Sequence, residues 1–260
     1  MKIIAFGTMK GGTGKTTLAF NLAGLLAAGD YKVLLWDLDP QCNLSQSAGM
    51  DINTRGVYTT KDVFDAPDTL PDKIAVHLDG NLWIMPGSID LTLTEATLPS
   101  KAGRELILRY YIEDNIEFFH QFDYILLDTN PSMCNVNQNG FVAADSIVLV
   151  SDVSLHSIRG AELFMYLWED IRKSLRLPET IKALVLNNYD SRTKLAGELM
   201  EFCAQKDNLR DLVVPTVIPA RVAMKHTAIE GKSIDQLLPE SDLVGILKQV
   251  MDDLKGKGVI

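Results

Sequence analysis

No stretch of the sequence approaches the roughly 18 consecutive apolar residues that a membrane-crossing helix needs. Cysteine is scarce. Cys42, Cys134 and Cys203 are odd in number, far apart and without paired metal-ligand spacing, which excludes a disulfide framework and a cysteine-based cluster motif and fits reduced side chains of a cytosolic protein. Basic residues are in deficit, with 25 Lys+Arg against 34 Asp+Glu and a net charge of −9. That balance argues against general avidity for nucleic acid, although a local basic patch can still hold a polyanion. Internal repeats, low-complexity tracts and linkers are also missing, so one domain is expected over residues 1–260. The first apolar run begins at Ile3, so no signal peptide is expected.

What is present is organised around residues 2–17, KIIAFGTMKGGTGKTT. Ile3-Ile4-Ala5-Phe6 reads as a buried strand, and Lys15 to Ala23 reads as a helix, with a glycine-rich turn between them. A strand, a glycine loop and a helix in that order are the context in which Gly-Lys-Thr marks a phosphate site. The glycines let backbone N–H groups of Gly11, Gly12, Thr13 and Gly14 turn around phosphate oxygens, and the helix start adds its positive end. Lys15 can reach β and γ phosphates, the hydroxyl of Thr16 can meet Mg²⁺, and Thr17 completes the loop. Thr8 stands where the usual first glycine would be, and Lys10 is an additional lysine. From its place in the loop Lys10 points away from its own phosphates, and it could neutralise charge on a nucleotide held by a facing copy.

Further apolar runs alternate with helical patterns. Strands are expected at residues 31–36, 81–86, 122–127, 146–150, 181–186 and 212–218, the last broken by Pro215, with one long helix over 102–121 and others over 154–175, 194–205 and 241–255. Residues 88–99 read as polar surface. The expected fold is α/β, a doubly wound, mostly parallel sheet with helices on both faces, as in P-loop nucleotide hydrolases. Ligands of such sheets bind at the carboxyl ends of strands. Asp37 and Asp39 lie at one such end, where alternation puts both carboxylates on one side for metal and water. Asp128 lies at another, where a Mg²⁺-side carboxylate belongs.

Lys10-Gly11-Gly12-Thr13-Gly14-Lys15-Thr16 resembles the deviant phosphate loop of the ParA/MinD superfamily, and Asp37-Leu38-Asp39-Pro40-Gln41-Cys42-Asn43 resembles the ParA branch of it. Weaker likenesses run through Tyr124 to Pro131, Asn188 to Thr193 and Thr216 to Ile234. The resemblance implies an ATPase using ATP and Mg²⁺, with Lys10 acting across an ATP-bound homodimer and Lys15 on its own nucleotide. Thr16, Asp128 and Asp39 would serve the metal, Asp39 would also position the water, and Asp37 would support the switch region. Asn187 and Ile218-Pro219-Ala220 would lie near the adenine. It further implies nonspecific DNA as a track; Arg221 and Lys225, with Arg192 and Lys194 of an earlier loop, could build the contact patch. A ParB-like or cargo adaptor protein would stimulate hydrolysis, in the cytoplasm at the nucleoid. Two departures stand out: Asn130 where many relatives have a proline, and Ala223 where a DNA-contacting arginine is frequent. Asp252, Asp253 and the glycines near the end make a poor membrane anchor, so a MinD-like membrane regulator is the disfavoured alternative, along with a P-loop ATPase of protein or cluster assembly. The chain is expected to be the short form, without an N-terminal helix-turn-helix.

Overall fold

The computed structural model describes residues 1–52, 56–190 and 194–260. β1 (Lys2–Gly7) is followed by α1 (Lys15–Ala28), β2 (Val33–Asp37) and the short α2 (Asn43–Ser47). Then come α3 (Thr60–Asp65), α4 (Pro71–Ile74), β3 (Val76–Asp79) and β4 (Leu82–Met85). α5 (Leu91–Thr97), α6 (Ile107–Asp114) and α7 (Ile116–Phe119) lead to β5 (Tyr124–Asp128). α8 (Asn135–Ala143), β6 (Ser146–Asp152), α9 (Leu155–Ser174) and β7 (Ile181–Asn187) follow. The rest is helical: α10 (Lys194–Gln205), α11 (Asp207–Arg210), α12 (Val222–Glu230), α13 (Ile234–Leu237) and α14 (Asp242–Gly256).

The strands form one sheet in the order β3-β4-β2-β5-β1-β6-β7. Every pairing is parallel except β3 with β4, an antiparallel hairpin at one edge. β1 lies between β5 and β6, with Lys2 opposite Tyr124 and Ile4 opposite Ser146. Period-2 alternation divides each strand between two cores. Ile3, Ala5, Leu34, Trp36, Ile125, Leu127, Ile147 and Leu149 face one, beneath α6, α8 and α9. Ile4, Phe6, Val33, Leu35, Leu126, Val148 and Val150 face the other, beneath α1 and α14. Because both faces are covered, these strands read as unbroken apolar runs rather than alternating ones. Trp36 is fully buried and stacks on Phe119 with ring centroids 5.5 Å apart. α1 is apolar nearly all round because it is buried nearly all round.

Three expectations are corrected. The helix expected over 102–121 is two shorter ones meeting at Asn115, whose Nδ2 donates to the Tyr111 carbonyl and ends α6. Residues 212–218 form no strand. They run beside β7, with an isolated bridge between Leu184 and Val213 and backbone hydrogen bonds from Leu184 N to Leu212 O, Val214 N to Leu184 O and Ile218 N to Leu186 O. The 88–99 stretch is α5 rather than plain polar surface. Its Glu95 accepts from the N–H groups of Asn135 and Val136 and so caps α8. Among the described residues no helix is long and apolar enough to cross a membrane.

Candidate functional site

The loop between β1 and α1 takes its shape from two glycines in the left-handed region, Gly12 at φ 79° and Gly14 at φ 83°. Gly14 also has no room for a side chain: a Cβ there would stand 2.2 Å from Asn187 Nδ2. That nitrogen donates to the Thr13 carbonyl at 2.8 Å, so the end of β7 clamps the loop from outside. α1 starts without a side-chain cap, which leaves its first backbone N–H groups facing the cleft.

The two lysines of the loop leave it in opposite directions. Lys15 is almost wholly buried. Its Nζ lies 2.5 Å from Asp128 Oδ1 and also donates to the Thr129 carbonyl. Lys10 instead runs to the far side, where its Nζ meets Asp152 Oδ2 at 2.6 Å and Ser154 Oγ at 3.1 Å. Thr129 Oγ1 donates to the Phe6 carbonyl at 2.7 Å, tying the end of β5 to the end of β1.

The carboxylates differ in what surrounds them. The strand ends at Asp37, and Leu38 N still donates to Asp128 O beside it. Asp37 points into protein, accepting from Asp39 N, Ser45 N and Ser45 Oγ, while Ser45 Oγ in turn accepts from Gly87 N. Burial, and next the Asp128 charge, push the Asp37 carboxyl up to about 7. Asp39 reaches the cleft wall, and burial raises its carboxyl above the usual range against the opposing Gln41 N–H and Lys15 charge. Asp128 Oδ2 is buried and has no hydrogen-bond partner.

The cleft above the loop has a volume of about 520 Å³. Lys10, Gly11, Gly12, Thr13, Gly14, Lys15, Thr16, Thr17 and Asp39 line it. Asn187 lies beneath the loop rather than in the cleft wall. Ile218, Pro219 and Ala220 run beside β7, where Ile218 N donates to Leu186 O and Ala220 N to Tyr189 O, and none of the three lines the cleft. That side is walled instead by Ala228 and Ile229 of α12, and the other rim by Gln41, Asn43, Gln46, Ser47 and Pro131. These walls were not foreseen. One sequence signal pointed to the first: Asn21, a lone amide in the apolar α1, donates to Thr227 Oγ1 and accepts from Ile234 N, fastening α12 and α13 over the loop.

Asn130 supplies hydrogen bonds where a proline would supply stiffness. Asn137, fully buried on α8, donates to the Asn130 carbonyl and Oδ1 and to the Ser132 carbonyl, and accepts from Asn130 N. This buckle holds Pro131 at the rim. Of the expected cation patch, Arg221 and Lys225 are exposed on the first turn of α12, and Arg221 pairs with Asp242 at 3.6 Å. Arg192 and the side chain of Lys194 lie outside the described residues.

A magnesium nucleotide fits these residues: the backbone cradle opens on the cleft, the Thr16 hydroxyl lies in it, and Asp128 Oδ2 is an orphan acceptor beside Lys15. Among the described residues no three His, Cys, Asp or Glu side chains gather into a metal site, so such a cation would depend on a hydroxyl, water and phosphate oxygens.

A seven-stranded, mostly parallel sheet with this loop at the end of its central strand defines a P-loop ATPase fold. Comparison with known proteins narrows the class. A family model described as "AAA domain" matches residues 1–182. The sporulation initiation inhibitor protein Soj of Bacillus subtilis is 31% identical over 240 residues, 92% of each chain. The chromosome-partitioning ATPase Soj of Treponema pallidum is 30% identical over 233 residues, 90% of this chain and 88% of that one. Among solved structures, apo McdA of Cyanothece superposes with a TM-score of 0.86 at 21% identity, covering 98% and 99% of the two chains. The chain belongs to the ParA/MinD superfamily of P-loop ATPases, among relatives of Soj and ParA.

Proposed function

We propose that the chain is an ATP-dependent dimerising ATPase that partitions or positions a cargo along nonspecific DNA, in the cytoplasm at the nucleoid. It acts as one domain over residues 1–260, and a ParB-like or cargo adaptor protein stimulates its hydrolysis. The observation that carries this reading is the divergence of Lys10 and Lys15 from one loop. One ammonium is placed to serve the nucleotide of its own subunit. The other is drawn to Asp152 and Ser154, which do not line that cleft, and is left to serve the nucleotide of a second copy.

The backbone N–H groups from Gly11 to Thr17, with Lys15, bind the phosphates, and Asn187 keeps the loop in shape. Thr16, Asp128 and Asp39 would hold Mg²⁺, which when bound with the nucleotide would neutralise charge on the transferring phosphoryl group. Asp39 orients the attacking water and accepts its proton; its place at the cleft wall and its raised proton affinity both suit that role. Asp37 supports α2 from behind, through Ser45. Arg221 and Lys225, with Arg192 and Lys194, supply phosphate contacts for DNA. The names of the Soj relatives, one a chromosome-partitioning ATPase, support this assignment.

The test is binding to nonspecific duplex DNA at physiological salt with ATP, ADP or no nucleotide, alongside sedimentation of the same samples. ATP-dependent dimerisation and ATP-dependent DNA binding are expected. Arg221→Ala or Lys225→Ala should each flatten the plot of log affinity against log salt by about one unit. Dimerisation by ATP without DNA binding in any state would remove DNA from the proposal. Absence of dimerisation would remove the role of Lys10.

A further inference from the structure

We propose that Asp152, with Ser154, is a positioning residue that holds Lys10 on its own subunit until an ATP-loaded copy offers its nucleotide. This rests on the reading that Lys10 acts across a dimer. Lys10 Nζ lies 2.6 Å from Asp152 Oδ2 and 3.1 Å from Ser154 Oγ, so two of its three N–H donors are engaged. The acceptors are fixed by the junction between β6 and α9. Ser154 Oγ donates to Asp152 Oδ1 at 2.5 Å and, as N-cap of α9, accepts from Ser157 N at 3.3 Å. Asp152 N donates to Ser157 Oγ at 3.2 Å.

The lysine is fixed at its base as well. Thr8 Oγ1 bonds both Lys10 N and Lys10 O at 3.2 Å. α9 approaches the same segment at Gly160, where a Cβ would stand 3.6 Å from Met9 Cβ. The Lys10 stem therefore starts beside the helix whose first turn receives its ammonium.

The contact is made to be broken. The Lys10 and Asp152 side chains are 38% and 20% exposed, so water can replace either partner, and such pairs contribute modestly. One ammonium cannot serve Asp152 and the phosphates of a facing copy equally. Breaking the pair is then a term in the dimerisation equilibrium. Asp152 sets that term without touching nucleotide, since it is absent from the cleft lining.

The experiment measures the dimer dissociation constant of the full chain by sedimentation, with Mg²⁺ and a slowly hydrolysed ATP analogue. The chains compared are the unaltered protein, Asp152→Asn, Lys10→Ala and the double variant. Asp152→Asn should tighten the dimer by roughly two- to thirtyfold, the scale of two partly exposed ion pairs, one in each subunit. Analogue affinity measured on monomer at high dilution should stay unchanged. In the Lys10→Ala background the same substitution should have no effect, a result that a purely structural role for Asp152 would not give. Asp152→Ser, which shortens the acceptor, must shift the constant in the same direction. An unchanged or weaker dimer in Asp152→Asn, or an equal shift in the Lys10→Ala background, would overturn the proposal. If Lys10→Ala alone dimerises and hydrolyses ATP normally, the failure lies instead in the reading of Lys10 as a group acting across the interface.

Discussion

Replacing Lys15 by Met keeps the length of the side chain and removes its charge, and the consequence can be worked from the surroundings of Asp128. Asp128 is fully buried, its Oδ1 lies 2.5 Å from Lys15 Nζ, and its Oδ2 has no partner. Asp37, also fully buried, is close enough for the charge of Asp128 to raise its proton affinity. Deleting the lysine leaves a carboxylate in protein interior with no counter-charge, and breaking a buried pair in this way costs about 3–5 kcal/mol. In a chain of this size about 1 kcal/mol corresponds to roughly 2–4 °C in Tm, so Lys15→Met should melt about 6–20 °C lower without nucleotide. Nucleotide binding should be lost as well, since no ammonium remains to meet the phosphates. Adding Asp128→Asn removes the stranded charge, so the double variant should regain most of the stability and none of the binding. Calorimetric unfolding with and without ATP and Mg²⁺ separates the two effects. A Lys15→Met protein as stable as the parent, or one that Asp128→Asn does not restore, would refute the reasoning.

Gly14→Ala combines a left-handed backbone penalty of about 1 kcal/mol with displacement of the Asn187 amide, whose bond to Thr13 is worth about 1 kcal/mol more. ATP-analogue binding by titration calorimetry should weaken at least tenfold; adding Asn187→Ala should recover only part of the loss, and full recovery would show that φ at Gly14 is unimportant. The Asp37 carboxyl, raised to about 7 by burial and the Asp128 charge, keeps its proton in the folded chain at pH values where the unfolded chain has lost it. Stability of the nucleotide-free protein should therefore fall as pH rises from about 4 to about 7 and level off above that. Asp37→Asn should flatten this dependence in urea titrations, and an unaltered pH profile would contradict the assignment.

Much of this was legible because chemistry and local pattern coincide at the loop. A buried strand, glycines that must turn and a Gly-Lys-Thr helix start leave few alternatives for residues 2–17. The strands of the central sheet, covered on both faces, announce themselves as apolar runs. The failures have one cause, tertiary contact overriding local pattern. α8 begins Asn-Val-Asn-Gln-Asn, a poor helix by propensity, and is held by Glu95 from α5 and by Asn139, which donates to the Arg104 carbonyl. Residues 212–218 have the composition of a strand, but their pairing with β7 is interrupted, made at Leu184 and again at Leu186. Asp37 and Asp39 cannot be told apart by spacing, since what separates them is the Ser45 that α2 brings against Asp37. The α12 wall lies more than 200 positions from the loop it covers, and it is fastened there by the hydrogen bonds of Asn21 and by close approach at Gly24, where a Cβ would stand 2.3 Å from Ser233.

The place of β1 in the sheet bears on how the protein is made. β1 is made before the other strands of this sheet, yet its neighbours are β5 and β6, whereas β2 and β4, made sooner than those, do not touch it. At synthesis rates of about 5–20 residues per second, the interval between Lys2 and its partner Tyr124 is roughly 6–24 s. Throughout that time Ile3, Ile4, Ala5 and Phe6 have no strand to pair with, and the glycine loop has no β7 to brace it. The nascent chain therefore carries an apolar strand without its native neighbours for longer than a small domain takes to fold, which exposes it during early translation to misassociation and to capture by chaperones.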